Sequence, residues 1–218
     1  MKSVTPEVLA ECLQLVLTVL VATGVTDGRV RRGAENRTAL VEALVSLYED
    51  GELNPTATQI AQRAGVAVRS VYGHFGDVET LAAEVSERQW QVHGALMDGP
   101  PIDGPLAARV GELVARRATL FEAIAPVRRA GMLHAHQSET IAANLRRLAR
   151  HLRAQVAHTF APELEQFDRV DAPAVLDAAD LLLSWESWER LRTQQGCSPA
   201  RARRALERAL IRLLEPRE

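Results

Sequence analysis

Between Val68 and Phe75 the chain carries a guanidinium, a hydroxyl, a phenol and an imidazole at short intervals: Arg69, Ser70, Tyr72 and His74. Donors of this kind bond phosphate oxygens and base edges, which is the chemistry of docking on a nucleic acid. Gly73 lies among them and permits a close approach. The alternative is the solvated face that any small helical domain presents. Spacing alone leaves the two readings open.

Such side chains act only if short helices hold them, and the surrounding residues supply those helices. Thr56 is placed to cap a helix by accepting backbone amides, and Gln59 three residues on completes a capping box. The spacing predicts a helix over Thr56–Ala64 with Ile60 and Ala61 inward. Gly65-Val66 then breaks the chain, and a second short helix is expected over Val68–His74, with Val68, Val71 and Phe75 inward. Before them, Arg31–Asp50 carries Leu40, Val41, Leu44, Val45, Leu47 and Tyr48 on one helical stripe, and Gly51 ends it. After them, Asp77 can cap a longer helix from Val78 to about Met97. A helix followed by two short ones across a tight glycine turn describes a helix-turn-helix, whose second helix projects polar side chains into a major groove.

Thr56–Leu81, TATQIAQRAGVAVRSVYGHFGDVETL, resembles the DNA-binding segment of the TetR family of bacterial transcriptional regulators. The likeness rests on the Thr-opened helix, Ala61-Gln62-Arg63-Ala64-Gly65-Val66, Tyr72-Gly73-His74-Phe75 and Leu81. Arg37–Gly51 is similar to the family's first helix, with Tyr48 where Phe is usual. The resemblance implies that Tyr72 and His74 contact phosphates and that Thr56 binds phosphate through its hydroxyl and the helix amides. It implies that Arg69, Ser70 and Gly73 face base edges, Arg69 being the best suited to reading sequence because arginine pairs in bidentate fashion with guanine O6 and N7, and that Phe75 is core. The family commonly has Pro-Ser-Lys after His-Phe, where this chain has Gly76-Asp77-Val78. The missing lysine implies weaker phosphate anchoring, with Arg29, Arg31 and Arg32 as a basic arm to offset it or, equally, as a plain solvated face.

The rest of the composition narrows the alternatives. A net charge of −2 excludes a generally basic coat for nucleic acid, so any such site is a local patch. Lys2 is the only lysine among 26 Lys+Arg, a compositional bias from which no function follows. Two cysteines, Cys12 and Cys197, make neither a disulfide framework nor a zinc site. Residues 8–25 are mostly apolar, but Glu7 and Glu11 spoil both a membrane span and a secretory start. Residues 1–28 therefore read as an N-terminal extension, helical or disordered, and the expected location is the cytoplasm with no membrane partner.

An enzyme is not expected. There is no GxSxG, P-loop or GxGxxG, and no cofactor is implied. His134 and His136 face different sides of a helix, while His151 and His158 stand about 10 Å apart along one axis, so neither pair chelates a metal.

DGPPIDGP, Asp98–Pro105, separates the first helices from a helical body. There Leu106–Arg129 reads as a helix that Pro126 should kink or end, and Gln137-Ser138 opens another to about Phe160. Ala161–Ala172 reads as a loop, Val175–Gln195 as one long helix closed by Gly196, and Ser198-Pro199 opens the last. The expected fold is all-α, with a three-helix helix-turn-helix domain over 29–76 and a larger ligand-binding and dimerisation domain over 77–218. In the resembled family a ligand cavity lies among the central helices. Trp90, His93, Met97, Phe121, His134, Trp185 and Trp188 are the candidates to line it, with ordinary core as the alternative for each. Apolar residues on more than one face of Val175–Leu191 and an apolar stripe on the last helix point to a homodimer bundle through Leu182, Leu206, Leu210 and Leu213, with complete burial within one chain as the alternative. The function expected is a ligand-responsive repressor that binds a palindromic DNA operator as a homodimer and is released by a small apolar effector. The competing reading is a helical ligand-binding or scaffold dimer that has lost sequence-specific DNA binding.

Overall fold

The computed structural model describes residues 30–76 and 78–215. Among them every regular element is a helix. α1 spans 30–49, α2 Ala57–Ala64, α3 Val68–Phe75, α4 Val78–Met97, α5 Leu106–His134 and α6 Glu139–Thr159. α7 (Ala161–Leu164), α8 (Asp171–Leu182), α9 (Trp185–Glu189) and α10 (Pro199–Leu214) complete the chain, with a π-helical turn over Arg190–Gln194 after α9. The expectations for residues 1–28, for Arg29 and for Asp77 as a cap lie outside the described residues.

Local chemistry sets the first elements. Thr56 accepts the amide of Gln59, and the Gln59 side chain accepts the Thr56 amide at 2.8 Å, so the capping box is complete. Gly65 ends α2 at φ +68°, a left-handed conformation that a side chain disfavours. Its amide and that of Val66 bond back to carbonyls of α2, which lets α3 start three residues later.

Two cores result. Leu40, Val41, Leu44 and Leu47 of α1 pack with Ile60, Ala61, Val71 and Phe75, and Leu81 and Val85 of α4 join them. The body core gathers Met97, Val110, Val114, Phe121, Val156, Phe160, Trp185, Trp188, Leu206, Leu210 and Leu214. α4 therefore runs from one core into the other, and packing crosses the boundary drawn after residue 76.

Several expected elements differ. α5 continues through Pro126 to His134. Proline removes one helical hydrogen bond there, but buried contacts at Ile124 and Ala130 on either side hold the helix together. Residues expected as loop include the short α7, with Pro162 in its first turn. The long helix expected over Val175–Gln195 is broken at Leu183–Ser184. Ser184 there accepts the amide of Ser187 and starts α9. Gly196 follows at φ +61°, and Ser198 caps α10 with Pro199 in its first turn, as expected.

The loop and body are pinned by one buried ion pair. Arg109 donates through Nη1 to Glu163 Oε2 at 2.9 Å and through Nη2 to Oε1. Its Nε bonds the Gly104 carbonyl at 2.9 Å, and Nη1 also reaches the Thr159 carbonyl.

Candidate nucleic-acid interface and ligand cavity

α3 is anchored from beneath. Val71 and Phe75 are buried, and Arg37 of α1 stacks over the Phe75 ring with 4.9 Å between guanidinium carbon and centroid. The same Arg37 donates to the His74 carbonyl at 2.9 Å and pairs with Glu84 of α4 at 2.6 Å. Arg63 of α2 bonds Ser46 of α1 and Asp50 just past its end, both at 2.6 Å. Arg63 therefore clamps α2 to α1, and Arg37 fixes the end of α3.

With that side held, the opposite residues of α3 are free of the core. Tyr72 is 64% exposed, Arg69 and Gly73 are exposed, and Ser70 and His74 are half-buried. Thr56 is exposed at the start of α2. Val68 was expected inward and is 38% exposed, because the core beneath α3 is filled by Val71 and Phe75 alone. Arg31 is part of α1 and pairs with Glu35 one turn on at 3.5 Å.

A cavity of about 180 Å³ lies between the two cores. Leu44 and Tyr48 of α1, Ile60 of α2, and faces of α4, α5 and α6 line it. Burial pushes the Tyr48 hydroxyl up to about 12, so it stays protonated. Of the expected ligand residues, Trp90, Met97 and His134 line this cavity. Trp90 stands edge-on to His151 with 5.3 Å between centroids, and Arg147 caps its face at 4.8 Å. His134 bonds the Leu53 carbonyl, and a cleft lined by His136, Gln137 and Ser138 shares His134, Asn54 and Ile141 with the cavity.

Phe121, Trp185 and Trp188 do not line it. They are packed in the body core, where Phe121 meets Trp185 edge-on at 5.8 Å and Trp188 Nε1 donates to Glu122 at 3.0 Å. His93 is half-buried on α4 outside the cavity wall; burial and the Arg88 charge both lower its pKa. Sequence reasoning missed Gln89, Arg128 and Asn144, all in the wall. Gln89 precedes Trp90 and lies one turn beyond Val85 and Ser86, so projecting α4 from Trp90 would have found it.

The expected dimer residues divide. Leu206 and Leu210 are buried in the chain's own core, where α10 packs on α5 and α8. The Leu206 and Leu210 side of α10 is thus used within the chain. Leu182 and Leu213 keep partial exposure, and Leu181 is 64% exposed. Among the described residues no group of three or more His, Cys, Asp or Glu is placed to hold a metal. No helix of the described residues is long and apolar enough to cross a membrane.

A helix-turn-helix packed on a helical body, with a cavity at the junction, places the described residues in the all-α class of folds. No family model matches the sequence, and no curated protein does. Solved structures do match. A transcriptional regulator from Rhodococcus sp. Rha1 is 19% identical with a TM-score of 0.65, covering 82% of this chain and 95% of that one. A protein from Mesorhizobium loti assigned to the TetR-family transcriptional regulators is 19% identical at TM-score 0.56, covering 84% and 96%. The multidrug binding protein EbrR, solved with imidazole, is 15% identical at TM-score 0.53, covering 84% and 96%. The chain has the fold of the TetR-type transcriptional regulators.

Proposed function

We propose that this chain is a ligand-responsive transcriptional repressor that binds a palindromic operator as a homodimer. The observation that carries the reading is α3 itself. Its inner side is locked by Val71, Phe75 and Arg37, while Arg69, Tyr72 and Gly73 are exposed beside the tight Gly65 turn. Arg69, Ser70 and Gly73 meet base edges; Thr56, Tyr72 and His74 hold phosphates and set the register. A two-fold pair presents two copies of α3 about 34–36 Å apart, to successive major grooves. The exposed or part-exposed Leu181, Leu182 and Leu213 support a self-complementary contact through α8 and α10. No catalytic step belongs to this reading.

A small, mostly apolar ligand in the cavity touches α1 and α2 on one side and α4, α5 and α6 on the other. It favours whichever arrangement of the two cores it fits better, and shifts the population only by that difference in affinity. Release from DNA follows if the favoured arrangement has the wrong separation of the two α3 helices.

The test is selection from a random duplex pool by the purified full chain, with mass measured by light scattering. A dimer that enriches a palindrome and binds it with a steep salt dependence supports the reading. A monomer indifferent to every duplex at low ionic strength overturns it.

A further inference from the structure

Most of the cavity wall is apolar, and the polar side chains in it are unevenly satisfied. Arg128 Nε on α5, Asn144 Nδ2 on α6 and Gln89 Oε1 on α4 are buried with no protein group in hydrogen-bond reach. Among the described residues one further side-chain atom shares this condition, Arg117 Nε, and Arg117 does not line the cavity. Buried polar groups are almost always paired, so three orphans among the residues that line one cavity mark it as the place where partners are missing.

Arg128 is the most demanding of the three. Its guanidinium is nearly enclosed, and its acid, Glu186, stands 3.4 Å from Nη2 and is itself half exposed. Burial lowers the Arg128 pKa more than Glu186 restores it. The next residue, Arg129, is fully engaged by contrast, with bonds of 2.8 and 3.0 Å to the two oxygens of Glu189. No Asp or Glu of the described residues lines the cavity. A buried cation whose one acid stands off at 3.4 Å and is half exposed is incompletely compensated, and an anion brought to it from the cavity adds to that compensation.

We infer that the cavity takes a mostly apolar molecule bearing one carboxylate, seated against Arg128 and Asn144. The carboxylate accepts from Arg128 Nε–H and Asn144 Nδ2–H, and Gln89 Oε1 accepts from a hydroxyl or N–H elsewhere on the molecule. The apolar remainder lies along Leu44, Ile60, Val85, Ile124 and Leu148. This deepens the reading of the body as a ligand sensor, on which it rests, by assigning the ligand a charge.

The test is calorimetric titration of the full chain without DNA. The probes are octanoate, 1-octanol and octylamine, and naphthylacetate with its matching alcohol and amine. On at least one scaffold the acid should bind roughly ten-fold or more tightly than the alcohol, as one charge-assisted hydrogen bond allows, and the amine weakest. Arg128→Met should bring the acid down to the alcohol's affinity, and Asn144→Leu should narrow the gap in a chain that keeps Arg128. Equal affinity of acid and alcohol, preference for the amine, failure of both acids to bind, an acid preference that survives Arg128→Met, or a gap left unchanged by Asn144→Leu overturns the inference. Because no DNA is present, a chain that ignores every duplex yet prefers the acid sinks the regulator reading alone.

Discussion

His134 Nε2, at the end of α5, lies 3.2 Å from the carbonyl oxygen of Leu53, just ahead of the helix-turn-helix. A carbonyl only accepts, so Nε2 carries the proton. The bond ties the body to the N-terminal core from a residue that also lines the cavity. His134→Ala should reduce the ligand-induced weakening of DNA binding by a factor of about 2–10, the equivalent of one hydrogen bond of about 0.5–1.5 kcal/mol. The measurement is the ratio of DNA dissociation constants with and without ligand. An unchanged ratio removes this bond from the coupling.

Arg69 and Tyr72 should fail in different ways. Arg69→Ala should cost about 1–3 kcal/mol of operator binding and relax the preference at one base position. Tyr72→Phe should weaken binding to all sequences alike. Fluorescence anisotropy on an operator and its single-base variants separates the two, and an Arg69→Ala profile with every base preference intact contradicts the orientation given to α3.

The Arg109–Glu163 pair sits with both side chains buried and several bonds satisfied. Removing one partner strands the other charge, so Glu163→Ala should lose about 3–5 kcal/mol of stability. The double substitution Arg109→Met with Glu163→Leu should recover most of that loss, since two apolar groups leave no charge unpaired. Urea denaturation of the single and double variants checks both.

Glu122 links the body to acid. It accepts from Arg192 Nε at 2.7 Å and from Trp188 Nε1 at 3.0 Å, and the hydrogen bond from Arg192 is the chief cause that holds its pKa below 4.5. Its folded value lies below the unfolded one, so the unfolded chain binds the proton first. The stability it contributes is complete above about pH 4.5 and is lost as pH falls through the folded value. Thermal midpoints followed by tryptophan fluorescence should drop more steeply below that pH in the parent chain than in Glu122→Gln. Parallel curves would mean the pair carries no pH dependence.

The helix-turn-helix was legible because its determinants are local. Thr56 and Gln59 stand three residues apart, Gly65 needs only its own φ, and the period of Leu40 to Leu47 needs no partner. The fold class and the exposed face of α3 follow from those residues. Past Pro105, local signals mislead wherever packing competes with them. Pro126 should stop a helix, yet α5 is held on both sides of it. The apolar period runs on through Leu183, yet Ser184 restarts the chain as α9.

What the amino-acid order determined by itself was an all-helical chain with capped short helices and a polar face on the second of them. Which apolar stripe goes where was decided only by tertiary structure. Leu206, Leu210, Phe121, Trp185 and Trp188 share the helical periods of interface or cavity residues, and the fold buries all five in the core of the body. Gln89, Arg128 and Asn144 are far apart in sequence and show no common pattern, yet α4, α5 and α6 bring them to one cavity. A helical period reports that a side is apolar but does not report its neighbour, and the neighbour is what turns a stripe into core, interface or pocket.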